Sequence, residues 1–407
     1  MKNKKHTRDY MFRKNKYRLV GSLLILMFLS TSLFAQSSIT AAGTNLAHDD
    51  DNAQENSLIR ISDTMAILAY SGYKNKGYVK TFSMTADGKT TAKLDELEFD
   101  GDDGYGISIA QLNSDIFVIA YRGRSQDGYI TTIKVSNAGK ITHVVPKQEH
   151  DIKDGWSNSL IKVDDNTVAL FYRGDESGPS SIIKTFDIPA DGSTITQVAT
   201  KKLDIVGNYH KIISIGGDKY VTTMALFATQ YITTFSISDN GVTITQIDQE
   251  TESGAGPYGD IVKMDGDTYA VASYGTSKNN KSEQSGSGSF IATYDIPADG
   301  STITKVSGLR HTSGQAYYHS LVKIADDHYA LAFSNGTSNG LVKTFYMPGD
   351  GRLISEVYES RYYSGKTTFN SFVKMDFETY MLAYTDPSNK GVLWTADIRS
   401  DLPFFKT

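Results

Sequence analysis

From residue 36 onward the chain is written in short apolar runs separated by clusters of Asp, Asn, Gly and Ser. One unit shows the pattern. Residues 159–163 (SLIKV) alternate apolar and polar, as a half-buried strand does. Asp164, Asp165 and Asn166 are turn formers, whose side-chain oxygens bond nearby backbone. Residues 167–172 (TVALFY) form a denser apolar run that fits a strand buried on both faces. A polar, Gly-containing loop spans 173–180, and residues 182–188 read as a third strand. Ala190, Asp191 and Gly192 form a turn in which Gly supplies a positive φ, and 194–200 read as a fourth strand. No stretch has a convincing helical period, so an all-β chain is expected.

The unit recurs. DIPADGSTIT occupies residues 187–196 and, letter for letter, 295–304. A threonine after a short apolar run falls at Thr81, Thr132, Thr185, Thr234, Thr293, Thr344 and Thr395, at intervals of 49 to 59 residues. Seven such copies predict a seven-bladed β-propeller with four-stranded antiparallel blades. The two ends are complementary. The seventh copy runs through Trp394 to Ile398 and reaches Thr407 without a fourth strand. Ser38-Ile39-Thr40, leading to Leu46-Ala47-His48-Asp49, matches the fourth strand at 139–142 and its exit at Glu149-His150-Asp151. The N-terminal segment is therefore expected to supply the outer strand of the last blade and seal the ring. No linker divides residues 36–407, which read as one propeller. The longest loop, 275–289, is a Gly/Ser-rich insert expected to be mobile.

Residues 1–35 read differently. A head with eight Lys and Arg precedes an apolar core at 19–34, broken by Ser22, Ser30, Thr31 and Ser32, and then the small Ala35. This is the pattern of a cleaved secretory signal, too short and hydroxyl-rich for a span needing about 20 apolar residues. A bacterial protein that is secreted, periplasmic or on the cell surface is expected, with no membrane span after cleavage. The whole chain carries −5 and residues 1–35 carry +7, so the remainder carries −12 with His neutral. Such a surface repels nucleic acid, and no nucleic-acid partner is expected. The absence of cysteine excludes disulfides, thiol nucleophiles and Cys-ligated metals. No cofactor is expected. Asp49-Asp50-Asp51 and Asp100-Gly101-Asp102-Asp103 offer oxygens to a structural Ca²⁺, but without EF-hand spacing they read first as turns. A monomer is expected.

Function in such a ring belongs to loops on a rigid scaffold. The loop before strand one carries Tyr105, Trp156, Tyr209, Tyr258, Tyr317, Tyr318 and Phe369. The residue just before the strand is Asn56, Asn158, His210, His319 or Asn370 in five copies. These side chains are expected around the mouth of the central channel. The end of strand two adds Tyr70, Tyr121, Tyr172, Tyr274 and Tyr384 to the same face, with Arg122 and Arg173 after two of them. Such aromatics either wedge blades together or stack on sugar rings beside Asn and His donors. His48, His150 and His311 share one repeat position and read as packing residues.

The segments SLVKI (320–324), YALAF (329–333), VKTF (342–345) and DIPADGSTIT resemble the repeats of uncharacterised secreted bacterial β-propeller proteins. The resemblance implies the fold and no activity. Kelch glycine pairs are missing except Gly216-Gly217, the sialidase Asp-box is echoed only by Ser238-Asp239-Asn240-Gly241, and WD dipeptides are absent. The function expected is a binding module whose aromatic-lined face engages extracellular polysaccharide or a surface partner. The alternative is a polysaccharide lyase acting on uronic acids, with His210, His319, Tyr209 and Tyr318 as acid and base candidates and Arg122 and Arg173 clamping the carboxylate. A structural envelope protein is the third reading.

Overall fold

Each repeat folds much as it reads. In the third, the strands are Trp156–Lys162, Thr167–Gly174, Ser180–Asp187 and Thr196–Lys202. The dense run TVALFY is buried throughout, because it lies mid-sheet with another blade against each face. The computed structural model describes residues 36–175, 178–277, 286–336 and 338–401. They contain seven antiparallel sheets in sequence order, each running from an inner to an outer strand: a seven-bladed β-propeller. Seven apolar clusters hold it, each shared by two neighbouring blades. The signal-like segment lies outside the described residues. Among those described, no helix is long and apolar enough to cross a membrane.

The ring closes as the complementary ends imply. Gln36–Ala41 and Leu46–Asp49 both pair with Gly391–Asp401, the third strand of blade seven. The seam buries Ile39 in one cluster with Tyr384 and Trp394.

The repeating threonine is an inter-blade clasp. The hydroxyls of Thr81, Thr132, Thr185, Thr234, Thr293 and Thr395 donate to the carbonyls of Gly139, Gly192, Gly241, Gly300, Gly351 and Gly88 at 2.5–2.8 Å. Each glycine sits in the next blade's turn between strands three and four. All six have φ of 65–79°, where only glycine is unstrained. At Gly241 a Cβ would also lie 2.8 Å from that of Thr185. Thr344 is the seventh, and its buried hydroxyl has no partner. Its turn would belong to blade seven, where two separate pieces of chain meet and no such turn exists.

Two expectations need correcting. Tyr70, Tyr121, Tyr172 and Tyr384 do not reach the face; all four are fully buried. The first three donate to Asp49, Asp100 and Asp151 at 2.9–3.0 Å. Those aspartates also accept backbone N–H groups two residues on, so two of the carboxylates considered for Ca²⁺ are already engaged. Among the described residues no three His, Asp or Glu gather as a metal site. The long loop is also shorter than read, because Thr268–Ser277 and Gly286–Asp295 continue as paired strands. Its remainder lies outside the described residues.

Candidate functional site

The aromatics expected on loops mostly stand at the starts of the inner strands, and a repeated bulge aims them. Two residues of the inner strand face one of the second strand there: Trp156 pairs with Arg173, and the next pair is Ser159 with Phe171. In every blade one residue of this segment takes a left-handed φ of 53–63°: Glu55, Gly106, Ser157, Tyr209, Tyr258, Tyr318 and Phe369. For six of the seven this conformation is strained. Its repetition around one axis turns the segment's side chains inward, where they surround a cavity of about 420 Å³.

The residue after the bulge holds it in place. Asn56, Asn158, His210 and His319 donate to the carbonyls of Phe369, Gly106, Ser157 and Tyr258, the bulge residues of the preceding blade, at 2.8–3.1 Å. Histidine thus replaces asparagine in the same role. The His210 and His319 imidazoles are 2 % and 4 % exposed. They pack on Phe171 and Phe333, and His210 Nε2 also meets Ser181 Oγ at 2.9 Å. Burial pushes their pKa values down to about 3 and about 4, so both are neutral. Both border the cavity while staying almost wholly buried. Asn370 accepts from the Tyr362 hydroxyl at 2.9 Å instead.

The wall has two parts. Tyr209, Tyr258, Tyr318 and Phe369 form a continuous arc, with successive centroids 4.3, 4.6 and 4.9 Å apart and planes tilted by 47–56°. Burial pushes the phenols of Tyr209 and Tyr318 upward, and the neighbouring Tyr258 phenol acts in the same sense. Tyr105 and Trp156 form the other part, 6.4 Å apart. The Arg122 guanidinium lies 4.9 Å from Trp156 and 5.9 Å from Tyr105. Arg122 and Arg173 do not line the cavity. Arg173 pairs with Asp154 at 3.0 Å and reaches Asn208. Tyr317 lies outside the ring, against Tyr258 and Tyr274.

Blade one breaks the pattern with Glu55, which the sequence reading passed over. Its carboxyl feels Tyr209 on the opposite wall as well as Tyr105 and Tyr318. It keeps some opening to the channel, yet Oε2 is buried with no hydrogen-bond partner. Desolvation pushes its pKa up to about 7; the Ile107 backbone N–H and the Arg122 charge act in the opposite sense. Aligned on Tyr209, Tyr258, Tyr318 and Phe369, position 55 is the one that carries a charge. That alignment was the available signal.

No family model matches the chain, and no curated protein matches it in sequence. Solved structures do match in fold. The periplasmic gluconolactonase of Pseudomonas aeruginosa aligns with a TM-score of 0.56 at 12% identity, over 77% of this chain and 86% of that one. A Bacteroides fragilis protein provisionally assigned as a 6-phosphogluconolactonase gives 0.55 at 14% identity, over 83% and 98%. Its Bacteroides uniformis counterpart gives 0.54 at 12%, over 75% and 87%. At these identities the likeness is one of fold.

Proposed function

We propose that the protein is an exported, monomeric binding module that holds carbohydrate in the funnel at the centre of one propeller face. One observation carries this reading: a left-handed residue repeated once in each of the seven blades accompanies six aromatic rings and one carboxyl that line a single cavity. Strain repeated at a site open to solvent points to use. Tilted rings with hydroxyl tips offer apolar faces to sugar C–H groups and donors and acceptors to their hydroxyls. A cavity of about 420 Å³ suits a small saccharide or the end of a polysaccharide chain. The basic head and apolar core of residues 1–35 support export. Neighbours of the same fold named as gluconolactonases bring a sugar-derived ring lactone into the ligand panel.

Titration of the purified protein with neutral oligosaccharides, uronate oligosaccharides and gluconolactone tests the reading by Trp156 fluorescence and calorimetry. Saturable binding by at least one sugar is expected. Tyr258→Ala should weaken it tenfold or more, the loss of roughly 1–2 kcal/mol typical of a central aromatic anchor. Trp156→Ala should do the same in calorimetry. No saccharide binding, or binding that both variants leave unchanged, refutes the proposal.

A further inference from the structure

The cavity lining contains two charged side chains, Glu55 and Lys211. Lys211 is engaged with Asp260 at 3.6 Å. Among the described residues no ion pair joins Glu55 to any cation: Arg122 influences it from outside the lining, with its guanidinium spread over Trp156 and Tyr105. The funnel therefore presents one carboxyl outside any ion pair among the described residues, with a buried and unpartnered Oε2, inside a wall of aromatic rings. A carboxylate and the electron-rich faces of Tyr and Trp share one preference, a cation at close range. An anionic ligand would meet both with the wrong sign. A neutral sugar would leave Oε2 without a charged partner, and an unpaired buried charge is what proteins avoid.

We infer that the ligand is a saccharide bearing a free protonated amine, its ammonium placed against Glu55 and its ring faces against the arc from Tyr209 to Phe369. The inference rests on the carbohydrate reading above and adds the charge of the ligand. It makes the break in the ring, a carboxyl at position 55 where four other blades carry Tyr or Phe, the element that selects among sugars.

The test compares three disaccharides by calorimetry at neutral pH: one of unacetylated glucosamine, its N-acetylated form, and cellobiose. Tetramethylammonium serves as a sugar-free cation. The glucosamine disaccharide is expected to bind at least tenfold more tightly than either neutral sugar. Glu55→Gln should erase that preference, leaving the three sugars within about twofold of one another; Tyr258→Ala should weaken all three, and a variant that merely misfolds would bind none. Equal binding of all three sugars, unchanged in the Gln variant, overturns the amine proposal and leaves the carbohydrate reading standing. If no sugar binds, both fall. Tetramethylammonium binding without any sugar would also overturn it, showing a plain ammonium cage.

Discussion

Deleting residues 37–49 is expected to abolish cooperative folding, although the segment makes no part of any blade's own four consecutive strands. The deletion removes the partner of Gly391–Asp401, where Leu46 faces Leu393 and Ala47 faces Val392. It uncovers Trp394, Ala396 and Ile398, all buried in the closed ring. It also reaches into blade one. The Tyr70 hydroxyl loses Asp49, and the buried Lys80 ammonium loses the His48 carbonyl. Each lost large apolar contact costs about 2–5 kcal/mol, and each orphaned buried polar group about 1–3. Two or three such losses match the roughly 5–15 kcal/mol that holds a typical domain together. Calorimetry should show no sharp transition, and sedimentation should show association through the exposed strand edge. A synthetic peptide of residues 37–50 should restore both by pairing in trans. A deletion variant melting within a few degrees of the parent would show that the seam is dispensable.

The same circular logic explains which parts of the fold were legible. The threonine was visible because six of the seven copies pair it with a glycine in the next copy, so one contact recurs around the ring. The sixth copy keeps Thr344 even though blade seven has no such glycine to answer it. The seam was legible for a simple reason: an incomplete last repeat and an orphan strand at the start have one economical solution in a ring. Tyr70, Tyr121 and Tyr172 were misplaced because a tyrosine ending a strand reads as amphipathic. Yet each lies 21 residues after its aspartate, a fixed spacing that pairs them. The site was legible in composition and not in geometry. Aromatic residues recur before strand one, and the ring they form could be anticipated. What aims them is a backbone bulge, and a bulge leaves no periodic trace, since it is an interruption of pairing. For that reason Asn158, His210 and His319 read as ligand donors when their side chains hold the preceding bulge. For the same reason Glu55 went unremarked among polar neighbours.

Replacing Glu55 by Gln is expected to stabilise the protein above neutral pH. The direction follows from the carboxyl's position. Its pKa rises from 4.5 in the unfolded chain to about 7 in the fold, chiefly through desolvation. The folded state therefore holds a proton that the unfolded state releases, so this group lowers stability as pH climbs from about 4.5 to about 7. Above 7 the penalty is complete, up to about 3 kcal/mol less whatever water in the channel relieves. Below 4.5 it is absent. The buried His48, His150, His210 and His319 have the opposite slope, because burial lowers their pKa values and the unfolded chain takes up their protons first. They act equally in both proteins and cancel in the difference. Melting curves for the pair from pH 4 to pH 9 should thus separate between 4.5 and 7 and run parallel above, with the Gln variant roughly 5 °C higher. Any cost of the amide itself appears at pH 4, where both side chains are neutral, and is subtracted. Curves that stay parallel throughout would mean that water solvates Glu55 as freely as in the unfolded chain, and the carboxyl would lose its claim to the site. A separation of the expected sign would show a fold that keeps a destabilising charge at the centre of its cavity, where a neutral side chain would be more stable. Such a residue is retained for what it binds rather than for what it holds together.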